Sequence, residues 1–216
     1  MDQMEHENFK FINPFSALFA GPSQAGKTEF IYKLLDNYKT MIEPIPKQII
    51  YCFSTWQPGF ERLKNKLPDV KFHEGIIPTE QIVSDVQTLI ILDDLMKESN
   101  KGEEIMDMFT RGSHHQNFGV ILLTQNLFQK GPHTRTISLN SHYIVMFNNP
   151  RDKSQIYHLA RQMYPTNSLF LVDAYTEVTK EPHSYLLLDL KQKTPENLRV
   201  QTNIFPEETR YCFVGK

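Results

Sequence analysis

Cysteine is scarce in this sequence: Cys52 and Cys212 are the only two in 216 residues. Two cysteines cannot build a disulfide framework, and a chain this long buries a full core without one. A reducing compartment is the expected setting. Charge of one sign is also lacking. With 23 basic and 25 acidic residues the net charge is −2, so no global basic excess advertises nucleic-acid binding and any such contact must come from a local patch. No apolar run approaches the roughly 18 residues that a membrane helix needs. Met1 to Lys10 is polar and acidic, which is not the pattern of a signal peptide. No internal repeat or low-complexity tract interrupts the chain.

What is present is an alternation of apolar strand-like runs with helix-length segments, the α/β signature. Strands are expected at 15–20, 48–53, 70–73, 88–92, 119–123, 143–147 and 185–190, with an edge strand near 198–204. Helices are expected at 27–38, 59–67, 101–110, 152–163 and 168–179, with a short one opening at Thr79. The organisation predicted is a single domain over 1–216: a core of about 13–190, a polar N-terminal arm 1–12 and a C-terminal tail 191–216.

Residues Gly21, Pro22, Ser23, Gln24, Ala25, Gly26, Lys27 and Thr28 match G-x-x-x-x-G-K-[ST] in full. Each fixed position has a physical reason. Gly21 and Gly26 let the backbone turn so that several N–H groups converge on an anion. The N-terminus of the following helix adds its own N–H groups and dipole. Lys27 suits the β- and γ-phosphates of ATP, and Thr28 offers a hydroxyl to magnesium (Mg2+). Glu29 follows at the start of the helix. The motif needs a strand before it and a helix after it, and both are expected here.

A phosphate loop needs a second anchor for the metal, an acid at the end of a buried strand. Leu89-Ile90-Ile91-Leu92-Asp93-Asp94 supplies it. Asp93 is the expected magnesium ligand. Asp94 is the candidate that orients or deprotonates the attacking water. A strand at 48–53 intervenes between the phosphate-loop strand and the Asp93 strand. That spacing favours a sheet in which the strand at 119–123 lies between them in space. The fold expected is therefore an α/β P-loop NTPase three-layer sandwich, its central sheet mostly parallel in 5-1-4-3-2 order, with C-terminal edge strands. Gln125, at the end of the 119–123 strand, is then placed to sense the γ-phosphate, since an amide both donates and accepts.

Several stretches together carry a resemblance: Gly-Pro-Ser-Gln-Ala-Gly-Lys-Thr, Leu-Asp-Asp-Leu, Arg-Gly-Ser-His-His-Gln-Asn, Leu-Leu-Thr-Gln-Asn-Leu-Phe and Ser-His-Tyr-Ile-Val-Met-Phe-Asn-Asn-Pro-Arg-Asp. Over about residues 15–190 the chain resembles the FtsK–HerA superfamily, specifically the viral genome-packaging ATPases of the poxvirus and Polinton/adintovirus type. The resemblance implies a homo-oligomeric ring, often a hexamer, that hydrolyses ATP to pump double-stranded DNA into a capsid. It implies capsid proteins as partners and a place in the virion or the host cell interior; with no apolar run long enough for a membrane helix, no membrane is expected as a partner. It also implies an arginine finger supplied by a neighbouring subunit. Arg111 matches the family's arginine before the Gln-bearing strand, with Arg135 and Arg151 as rivals. The chain departs from larger members in showing no membrane-anchoring or DNA-reading domain.

Lys97, Lys101, Lys130 and Arg135 are the candidate DNA contacts, on loops and segments that follow the magnesium and sensor strands; ordinary solvated charge explains them equally well. His114 and His115 are adjacent, so they cannot both face one metal on a regular element. Trp56, beside Pro58 and Phe60, reads as a partner patch or as packing. Two rival functions use the same loop. A small-molecule kinase needs an arginine-rich lid, and the seven arginines here do not cluster. A nucleotide-gated switch of the GTPase kind wants Asn-Lys-x-Asp, and neither Asn65-Lys66-Leu67-Pro68 nor Asn100-Lys101-Gly102-Glu103 has the aspartate.

Overall fold

The computed structural model describes residues 8–82, 85–95, 101–112, 117–128 and 131–215. Eleven strands are found among them: β1 (Phe11–Ile12), β2 (Ser16–Ala20), β3 (Ile42–Glu43), β4 (Gln48–Phe53), β5 (Val70–Glu74), β6 (Thr88–Asp93), β7 (Phe118–Thr124), β8 (Tyr143–Phe147), β9 (Tyr185–Asp189), β10 (Val200–Thr202) and β11 (Tyr211–Phe213). The helices are α1 (Lys27–Asp36), α2 (Tyr38–Met41), α3 (Pro58–Lys66), α4 (Lys101–Asp107), α5 (Thr134–Leu139), α6 (Ser154–Met163) and α7 (Ser168–Val178).

Strands β2, β6, β7 and β8 are buried along their whole length. Continuous apolar runs of this kind belong to a sheet covered on both faces. The main sheet runs β11-β10-β9-β8-β2-β7-β6-β4-β5. Its central section, β8-β2-β7-β6-β4, is parallel throughout and has the expected 5-1-4-3-2 order, with β7 between β2 and β6. Strand β5 adds a further parallel edge beside β4. Strands β9, β10 and β11 add three antiparallel strands at the other side.

The period of two along each strand divides the core. From β2, Ala17 and Phe19 join one cluster and Leu18 and Ala20 the other. The first cluster takes Phe30, Ile31, Leu34 and Leu35 of α1 and Phe60 and Leu63 of α3. The second takes Ile156, Leu159 and Ala160 of α6 and Leu171, Val172, Ala174 and Tyr175 of α7. The result is three layers, with the strand ends that follow β2, β6 and β7 along one rim.

Four differences from the sequence expectations have local causes. The first helix stops at Asp36, because Asn37 leaves helical geometry at φ −112° and turns its side-chain amide back onto Lys33 O at 2.9 Å. The helix expected over 101–110 is α-helical only to Asp107 and continues as a π-helical turn, Met108–Gly112. Helix α5 was not expected, its Thr-Arg-Thr-Ile-Ser-Leu run being poor in helix formers. The core also extends past 13–190. Phe9 and Phe11 of the arm are buried against Tyr143, and Ile204 and Phe205 of the tail are buried as well. An arm with two phenylalanines has apolar area to hide, and β1–β3 pairing gives it a place.

Candidate functional site

The loop 21–26 connects β2 to α1, as its motif requires. Gly21 extends the β2–β7 ladder by one bond, its N–H reaching Thr124 O at 3.2 Å. A Cβ at position 21 would lie 2.8 Å from Cβ of Phe147, so only glycine fits without movement. Gly26 caps α1 at φ 108°, a conformation that side chains rarely adopt. No side chain caps the first turn of α1, which leaves its N–H groups directed at the loop. Lys27 folds over this loop and donates to the carbonyls of Gly21 at 2.5 Å and Pro22 at 2.8 Å.

Strand β6 delivers the acids. Asp93 pairs in register with Phe53 of β4 and Leu123 of β7, and the residue is 7% exposed. Asp94, the residue after the strand, has left-handed geometry, φ 56°, which aspartate tolerates better than most residues. Burial raises the Asp93 carboxyl above its ordinary range; a hydrogen bond from Tyr51 lowers it, the Asp94 charge raises it and Lys27 lowers it. Burial likewise lowers the Lys27 ammonium, opposed by the charges of Asp93 and then Asp94. A buried acid and a half-buried cation, each pushed towards neutrality and each restrained by the other, are the kind of pair found at functional sites.

A cleft of about 440 Å³ lies over these groups. It gathers Ser23, Gln24, Gly26, Lys27, Thr28 and Glu29 with Asp93, Asp94 and Gln125. The glycine cradle, the Lys27 cation, the Thr28 hydroxyl and two carboxylates form a donor and acceptor set that fits a magnesium–triphosphate. Thr28 and Asp93 are the oxygen donors suited to the metal.

The remaining candidates lie away from the cleft lining or outside the described residues. The Arg111 backbone belongs to the π-helical turn 108–112, and its side chain lies outside the described residues. Lys97, Lys130, His114 and His115 lie outside them too, as does the side chain of Lys101 at the start of α4. Arg135 is exposed on α5 and Arg151 is exposed in the turn before α6.

Three residues near the loop and the acids were not singled out from sequence. Gln57, just before α3, and His183, just before β9, both line the cleft. Tyr51 lies on β4 and donates to Asp93 Oδ2 at 2.9 Å. The only sequence signal for Tyr51 is a hydroxyl inside an otherwise apolar strand, since a buried hydroxyl needs a partner.

No family model matches the chain, and no curated protein matches it. Solved structures do. The genome packaging NTPase B204 from Sulfolobus turreted icosahedral virus 2, in complex with sulfate, superposes with a TM-score of 0.57 at 15% identity, covering 88% of this chain and 96% of that one. The same NTPase in complex with AMPPCP gives 0.54 at 14% identity, covering 88% and 97%. The cytoplasmic domain of the Thermomonospora curvata Type VII secretion ATPase EccC gives 0.55 at 12% identity, covering 93% of this chain but 25% of that one. At such identities the likeness is one of fold, and the fold of this chain is the α/β sandwich of P-loop NTPases.

Proposed function

We propose that this chain is an ATP-hydrolysing motor of the FtsK–HerA superfamily, of the viral genome-packaging type. It works as a ring of identical subunits that drives double-stranded DNA into a capsid. The observation that carries the reading is the single cleft in which Lys27, Thr28, Asp93, Asp94 and Gln125 converge from the ends of three adjacent parallel strands, β2, β7 and β6. The fold shared with a genome packaging NTPase supports the DNA-packaging part of the proposal.

The chain's residues divide the work. The loop N–H groups and Lys27 bind and orient the phosphates. A bound magnesium ion would supply neutralisation of the phosphate charge. Thr28 and Asp93 would hold that ion, with Tyr51 bonded to the Asp93 carboxylate. Asp94 accepts the proton of the attacking water or aligns it. Gln125 contacts the γ-phosphate, and Arg111 completes the neighbouring subunit's site.

The test is ATP turnover with and without double-stranded DNA, beside a mass measurement of the assembly. A motor is expected to form an oligomer and to turn over faster with DNA. Asp94→Asn should keep ATP binding and lose turnover. Turnover indifferent to DNA but stimulated by a small phosphate acceptor would replace the motor with a kinase.

A further inference from the structure

Residues 181–184 form a turn closed by the Ser184 N–H on Glu181 O at 3.4 Å. Pro182 stands second in it and His183 third, at φ 64°. This is the pattern of a type II turn, where proline suits the second position and glycine the third. A histidine there carries backbone strain that glycine would not. His183 is nevertheless exposed, lines the cleft, and forms no hydrogen bond through its ring among the described residues. It also sits directly on the phosphate loop. A Cβ added at Gly26 would lie 3.1 Å from His183 Cβ and 3.4 Å from its Nδ1. A residue in strained backbone geometry that lines the cleft, its ring making no hydrogen bond among the described residues, points to a role towards a ligand.

Sheet order tells which end of the ligand it meets. Asp93 ends β6, two strands from β2 by way of β7. His183 leads into β9, two strands from β2 in the opposite direction, by way of β8. On the nucleotide-binding reading above, on which this inference rests, the acids take the metal and the terminal phosphate. The opposite flank of the loop is then left for the nucleoside.

We infer that His183 is a nucleotide-contacting residue that engages the ribose–base end of ATP and distinguishes a nucleoside triphosphate from bare triphosphate. An imidazole is equipped for this: its face stacks on a base and its ring nitrogens bond to a ribose hydroxyl.

The experiment is calorimetric titration, with magnesium, of ATP and separately of inorganic tripolyphosphate into the wild type, His183→Gly and His183→Asn. Glycine removes the strain and asparagine tolerates the left-handed conformation, so both variants keep the turn. Both are expected to lose about tenfold in ATP affinity while tripolyphosphate changes by less than about twofold. His183→Gly should melt no lower than the wild type. Equal losses for both ligands, or a loss for neither, would overturn the inference and leave the phosphate loop intact as a site. A wild type that binds neither ligand would remove the nucleotide reading itself, and this inference with it.

Discussion

The phenol of Tyr51 on β4 donates a hydrogen bond of 2.9 Å to Asp93 Oδ2 on the neighbouring strand β6, and both residues are buried. Burial holds the Tyr51 hydroxyl well above its usual ionisation range, and the Asp93 charge adds to that. The phenol is therefore held in its protonated, donating form. A fixed donor of this kind orients a buried carboxylate, as a group proposed to hold a metal requires.

Tyr51→Phe preserves the ring and deletes only that donor. The expected cost is about 1.5–3 kcal/mol of stability, the usual value for a hydrogen bond to a charged group. The magnesium concentration that half-saturates ATP binding should rise with it. Urea unfolding and a magnesium titration at fixed ATP read the two effects separately.

Asp93→Asn should split stability from function in the metal-free, nucleotide-free protein. Burial raises the Asp93 pKa in the fold, so the carboxyl favours the fold when protonated. That contribution is complete below its unfolded value, near 3.8, and is lost as pH rises through the folded value. Asparagine does not titrate. The stability of the variant relative to wild type should therefore increase with pH across that window and level off above it. Thermal melts from pH 3 upward check the sign, and magnesium-dependent ATP binding should be lost throughout.

Much of this site was legible because its parts are contiguous. The residues from Gly21 to Thr28 fix four positions within one turn, and the strand and helix on either side are themselves readable from burial pattern. The Asp93 strand was legible for the same reason, being a run of apolar residues ended by two acids. Tyr51 and His183 were not. Each reaches the site across the sheet rather than along the chain, Tyr51 from 42 residues before its partner. Periodicity predicts which way a side chain faces, not what waits there. The π-helical turn at 108–112 was equally hidden, because its residues keep a helical pattern while the backbone widens.

Gly21→Ala tests the fit of the loop against the sheet. The added methyl would meet Phe147 Cβ at 2.8 Å and Ala25 Cβ at 3.3 Å, and neither atom is the loose end of a flexible chain. A loss of about 1–3 kcal/mol is expected from overpacking. Nucleotide affinity should fall beyond that loss, since the loop itself must shift. Unfolding midpoints and ATP titration of the same preparation separate the two.

Arg111→Ala should be inactive alone, and so should Lys27→Ala. A mixture of the two should regain measurable turnover if Arg111 acts across a subunit boundary, because one shared interface then keeps both groups. Steady-state ATPase assays across mixing ratios decide this. Activity that never returns would assign Arg111 to its own subunit or to the fold.

Trp56 is the chain's single indole. It lies edge-on to Phe53, Phe60 and Phe72, half in solvent, and its next neighbour Gln57 is part of the cleft wall. The molecule thus contains its own optical probe. Its emission arises from one place, a residue away from where a ligand would arrive, so filling and emptying can be followed by intrinsic fluorescence in stopped flow without a dye or a label.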